Sequence, residues 1–211
     1  MSQAHDFGKG SESVKSVEVK EIKETGKVSP VWTIHKFNDE DGKVAAFTRQ
    51  GHSADEASKV FADRYLGVNK FAGNVLLNGG ITIMWNLIGA AGATSFTAAH
   101  ARLGVGNDNT HSGDATQTGL IATGAANVRY QIVDSTTVTA QSIAWQATYT
   151  GAIANFLWTE FGADDDAVDG SGFAVTSYSA GVIGMMDRLV SAQGTKVAGQ
   201  TWILTLTVTL S

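Results

Sequence analysis

Residues 200–210 read Gln-Thr-Trp-Ile-Leu-Thr-Leu-Thr-Val-Thr-Leu, and this alternation constrains the fold more than any other stretch of the chain. Side chains on a strand point alternately to two faces. Trp202, Leu204, Leu206, Val208 and Leu210 therefore share one face, while Ile203, Thr205, Thr207 and Thr209 share the other. A helix would scatter the same residues around its circumference. Burying the first set contributes roughly 10 kcal/mol, at about 1.5–3 kcal/mol for each large apolar side chain, so the strand is expected to close a core. A slip of one residue would turn the whole set to solvent, which fixes its register.

Further strands are expected at Val128–Val133, Ser142–Thr150, Asn155–Phe161 and Gly181–Val190, and a shorter one in Ala101–Gly106 that breaks into an Asn-Asp-Asn loop. Their connections are glycine-rich, and with 24 glycines against one proline glycine supplies most of the turns. Strands without regular intervening helices favour an antiparallel sandwich over a parallel α/β sheet. No internal repeat of propeller or β-helix length is present. Between Val75 and Ala93 the period changes: Leu77, Ile81, Met84, Trp85 and Ile88 recur at helical spacing. Asn78, Asn86 and four glycines interrupt that stretch, so it reads as one buried amphipathic helix and not as a membrane span.

The first third of the chain is a different material. Residues 1–70 carry 11 Lys/Arg and 11 Asp/Glu, against 4 and 9 in the 141 residues that follow. Residues 1–30 hold one aromatic, Phe7, and alternate small apolar with charged residues, too little to offset their own ordering entropy. They read as an extended N-terminal arm whose Val14, Val17, Val19 and Ile22 contact a partner, an edge strand or groove on a neighbouring subunit. Residues 31–70 read as a small ββα unit. Trp32, Ile34 and Phe37 lead into the turn Asn38-Asp-Glu-Asp-Gly42, Val44–Thr48 forms the return strand, and a helix follows. Its start is marked by the capping box Ser53-Ala-Asp-Glu56 and its stop, after Leu66, by Gly67. Residues 71–211 form the sandwich domain. The expected class is thus mainly β: an antiparallel β-sandwich with one buried helix, preceded by the ββα unit and the arm.

Composition and motifs narrow the chemistry. A net charge of −5 offers no basic field for phosphates, so nucleic acid is not an expected partner, and the absence of cysteine removes disulfides, thiolate metal sites and thiol nucleophiles together. Met1 is followed by no cationic start and apolar run, so no secretory signal and no membrane partner are expected. The acidic stretch Asp164–Gly170 fails the calcium-loop pattern, with Ala167 and Thr176 where ligands belong. Asn107, Asp108, Asn109 and Asp114 form an oxygen-rich loop that needs no ion, because Asn and Asp satisfy their own turns. The five histidines lack zinc spacing. Ser179 lacks the upstream glycine of a serine elbow, and Gly104-Val-Gly106 lacks the third glycine of a dinucleotide loop. Glu160, beside Trp158 and Phe161, is the one candidate acid, with an edge-strand carboxylate as the simpler reading. No catalytic, cofactor or metal set is expected.

Several phrases in order carry a family likeness: Gly73-Asn-Val-Leu-Leu-Asn-Gly-Gly-Ile81 with Trp85, Leu103-Gly-Val-Gly-Asn-Asp108 and Ala115-Thr-Gln-Thr-Gly-Leu120. Ala154-Asn-Phe-Leu-Trp-Thr-Glu-Phe-Gly162, Gly194-Thr-Lys and the 202–211 strand continue it. Together they resemble small virion structural proteins of tailed bacteriophages, with a fainter likeness to the N-terminal region of tail-collar fibre proteins. The resemblance implies a non-enzymatic protein made in the host bacterial cytoplasm and carried in the virion. Its expected partners are the major capsid protein or other virion proteins and copies of itself. A capsid decoration protein is the first expectation and a tail, collar or baseplate adaptor the second. A carbohydrate-binding or carbohydrate-cleaving module, with Trp145, Tyr149 and Trp158 stacking on sugars, is a third.

Overall fold

The computed structural model describes residues 28–73, 75–82, 101–122, 124, 126–165 and 185–210. Two five-stranded antiparallel sheets pack face to face. Sheet I runs β2 (Tyr65–Ala72), β1 (Val28–Asn38), β10 (Gln200–Leu210), β7 (Ser142–Tyr149), β6 (Ser135–Thr139). Sheet II runs β3 (Val75–Leu76), β9 (Met185–Thr195), β8 (Leu157–Asp165), β4 (Ala101–Gly106), β5 (Val128–Ile132). The class is the mainly β sandwich that the alternating runs require.

The core lies between the sheets. Trp32 and Ile34 of β1, Trp202, Leu204 and Leu206 of β10, and Trp145, Ala147 and Tyr149 of β7 meet Leu103, Val105, Trp158, Phe161 and Ala163 from the other layer. Aromatic rings interlock there: Trp158 meets Tyr149 and Trp202 edge-on, each at 4.8 Å between centroids. Tyr149 also reaches across the layers and donates its hydroxyl to the Leu103 carbonyl at 2.6 Å, which ties the two sheets together in a dry interior. Complete burial pushes the Tyr149 phenol well above its ordinary pKa, so it remains a donor. The inward face of 200–210 is buried as far as Leu206 and fades to an exposed Leu210 at the sheet rim, while Thr201 and Ile203 on the opposite face are buried as well.

The first third of the chain is built differently from its expected form. β1 pairs with β10 over its entire length and with β2, so the strands of the 31–70 segment are members of sheet I. The expected return strand Val44–Thr48 is a helix instead, α1 (Lys43–Arg49). Asp39 decides this. Its buried carboxylate accepts from the Val44 and Ala45 amides at 2.9 and 3.0 Å and from the Thr201 hydroxyl at 2.8 Å, which satisfies two of the orphan donors of a helix start. Val44 and Thr48, one turn apart, then face the sheet.

The capping box at Ser53 and Glu56 is present as read from the sequence, and it opens α2 (Ala54–Val60). The helix ends there, well before Leu66. Gly67 is no helix stop: it lies inside β2 at φ +130°, where the pairing slips so that Lys36 faces Gly67 but Phe37 faces Tyr65. A bulge at that point needs a residue free to adopt this backbone. Both helices lie on the outer face of sheet I over Phe37 and Ile203, forming a second apolar cluster with Val44, Ala54 and Ala57. Gln146 of β7 clamps the start of α2, accepting from the Ala54 amide at 2.8 Å and donating to the His52 carbonyl at 3.0 Å.

On the far side of the sandwich, the segment 107–122 covers the outer face of sheet II. Gly104 and Gly162 sit opposite each other there, with Gly106 opposite Glu160. A Cβ on Gly104 would lie 2.6 Å from the Tyr130 ring and 2.9 Å from Leu120, so the Gly-Val-Gly of β4 is a bed for the covering loop. Tyr130 fixes that loop by accepting from the Leu120 amide at 3.1 Å. Of the expected helix over 75–93, residues 78–82 are helical and Leu77 is buried, while Ile81 is 38% exposed. Met84, Trp85 and Ile88 lie outside the described residues.

Candidate functional site

Glu160 is neither a poised acid nor an edge carboxylate. It lies on β8, the central strand of sheet II, and is fully buried. One oxygen accepts from the Ile121 amide at 2.6 Å and from Arg188 Nε at 2.7 Å, and the other accepts from the Ala122 amide at 3.1 Å. Arg188, equally buried, extends the network to the His111 carbonyl and the Gln117 side chain, each at 3.2 Å, and lies 3.6 Å from Asp108. The pair therefore fastens the 107–122 segment to sheet II, with Arg188 Nη2 held beside Glu160 at 2.7 Å as an ion pair and not in hydrogen-bond geometry. A buried ion pair is tolerated only where close geometry and further hydrogen bonds offset the loss of hydration.

The other sequence candidates fall as follows. Val14, Val17, Val19 and Ile22 lie outside the described residues, as does most of the acidic stretch 164–170. Asp108 and Asp114 bond within their own turns, to the hydroxyls of Thr110 and Thr116. Among the described residues no three or more His, Asp or Glu side chains gather as metal ligands, and no helix is long and apolar enough to cross a membrane. Trp145, Tyr149 and Trp158 are core residues with at most 5% exposure, so they present no face to a sugar. Lys196 is buried as well. Its ammonium donates to the Thr150 and Ile153 carbonyls and to the Asn155 side chain, and burial lowers its pKa to about 8.

The site that sequence reasoning missed is a groove of about 570 Å³ on the outer face of sheet I. Its floor follows from strand register. Lys70, Thr33, Thr205, Gln146 and Ser135 stand side by side across all five strands, and Thr207, Ala144 and Thr137 form the next row. The segment 51–58 and the start of β2 form the walls. Where they meet, Tyr65, His35 and Asp55 form a chain: the Tyr65 hydroxyl is 3.3 Å from His35 Nδ1, and His35 Nε2 is 3.5 Å from Asp55. A neutral ring that accepts from Tyr65 at Nδ1 carries its proton on Nε2, directed at Asp55. The one available signal was Thr205, Thr207 and Thr209 at successive alternate positions of β10, a polar stretch of one face on an otherwise apolar strand.

Burial lowers the His35 pKa, with Asp55 opposing, and burial raises that of Tyr65. The folded protein therefore binds fewer protons at His35 than the unfolded chain does, over the range between the lowered value and the ordinary 6.5. Stability from this group is complete above that ordinary value and is lost as pH falls through the window. The melting midpoint is expected to drop further on going from neutral to acidic buffer in the wild type than in His35→Gln. Equal drops in both proteins would refute this assignment.

No family model, no curated protein and no solved structure matches this chain.

Proposed function

We propose that this chain is a non-enzymatic structural protein of a bacteriophage virion, a decoration protein that binds the capsid through its N-terminal arm. The observation that carries the reading is the use made of the buried charged groups. Glu160 and Arg188 hold a covering loop, Asp39 holds a helix, and Lys196 holds a turn. Such spending on rigidity suits a protein that acts through its surface, since a reaction needs acids, bases or nucleophiles left free to move protons. The phrases between Gly73 and Ser211 that resemble virion proteins support the same reading. The partners are then the major capsid protein and neighbouring copies, and the contacts on the arm are Val14, Val17, Val19 and Ile22.

The test is a count and a truncation on particles of the phage that encodes the chain. Removing residues 1–27 leaves β1 intact, because that strand begins at Val28. The truncated protein is expected to melt like the full chain yet to occupy particles far more weakly. Copies on the order of hundreds per particle fit a capsid lattice, whereas a single small ring of copies would place the protein in the tail. Equal occupancy with and without the arm would overturn the proposed attachment.

A further inference from the structure

We propose that the groove on the outer face of sheet I is a binding site for a neutral, hydroxyl-rich oligosaccharide. Thr33, Thr205, Thr207, Ser135 and Thr137 bring five hydroxyls into one trough, and none of these hydroxyls is hydrogen-bonded to another described residue. Each hydroxyl can donate once and accept twice, and so can each hydroxyl of a sugar. Neighbours across strands are about 4.8 Å apart and those along one strand about 6.8 Å, a two-dimensional grid that a chain of pyranose rings can meet repeatedly.

Charge selects the ligand further. The floor carries one charge, the cation Lys70 at its β2 end, and the wall carries one anion, Asp55. A polyanion would meet Asp55 and a protein of net charge −5, while an uncharged chain desolvates neither ion in full. Val68, half exposed, and the ring of Tyr65 supply an apolar border for the C–H faces of a sugar. An extended peptide is a poorer match. Peptides add to sheets through free main-chain groups at an edge, and the middle of this floor is β1, β10 and β7, whose backbones are already paired on both sides. The residues that line the groove belong to the sandwich and to the segment 51–58, so the proposal stands apart from the virion reading.

Isotope-labelled full-length protein, titrated with linear hexasaccharides of glucose, mannose, galactose and N-acetylglucosamine, gives the test. At least one sugar is expected to shift the amide signals of Thr33, Thr205 and Thr207 in a saturable manner. Replacing Thr205 and Thr207 by valine keeps the shape and removes two hydroxyls, and should weaken binding about tenfold or more. Thr136→Val, on β6 but outside the groove, should leave binding unchanged. Melting curves like the wild type's confirm that both variants fold. The proposal is overturned if no sugar shifts the groove, if the shifts map elsewhere, if the double valine variant binds as well as the wild type, or if only a sulfated glycan or an unstructured peptide binds there.

Discussion

Replacing Arg188 by methionine is expected to destabilise the protein by about 3–5 kcal/mol, because it leaves the buried Glu160 carboxylate without its cation. Both side chains are fully buried, and their closest approach is 2.7 Å. Glu160→Leu should be comparably damaging, since it strands the guanidinium and also releases the Ile121 and Ala122 amides. The double variant Glu160→Leu with Arg188→Met is expected to recover much of the loss, since two apolar side chains then share the space without an unpaired charge. Urea denaturation of the three variants measures this as a double-mutant cycle. If Arg188→Met alone costs under about 1 kcal/mol, water reaches the pair and the dry clamp described for the 107–122 segment is wrong.

The second large effect is expected in β10. Leu206→Ala removes a fully buried side chain between the sheets and should cost about 2–5 kcal/mol. Thr207→Val, one residue along and on the partly exposed groove face, strands no hydrogen-bond partner and should change stability by less than about 1 kcal/mol. Thermal melting of the two variants separates the faces. Equal shifts would mean that both faces are packed against other layers, and the groove would then be closed.

Local patterns are legible in the sequence. The periodicity of 200–210 and of the shorter runs at 128–133 and 142–150 is fixed by side chains within the segment itself, and the Ser53–Glu56 capping box closes over three residues. The failures share a cause, which is a partner distant in sequence. Val44–Thr48 is helical because of Asp39, whose own position depends on Thr201 at the other end of the chain. β6, Ser-Thr-Thr-Val-Thr, has no apolar alternation and exists because β7 offers it an edge. Glu160 looked like an isolated acid because Arg188 is 28 residues away. The groove was illegible for the same reason. Its floor is a row across five strands, and no single strand contributes more than two of its hydroxyls.

The pairing of β1 with β10 has a consequence for how the protein is made. Val28 lies opposite Leu210, so the middle of sheet I joins residues separated by nearly the whole chain. Closing so long a loop costs entropy before any contact repays it, and topologies of this kind fold slowly. On the ribosome, β1 with β2 and β7 with β6 can form as two separate hairpin-like halves, each with one unpaired flank. The strand that belongs between them emerges after everything else that is described. Until it does, the nascent chain carries two open strand edges and an uncovered layer of tryptophans, the state in which a β protein is most prone to aggregate and most dependent on chaperones.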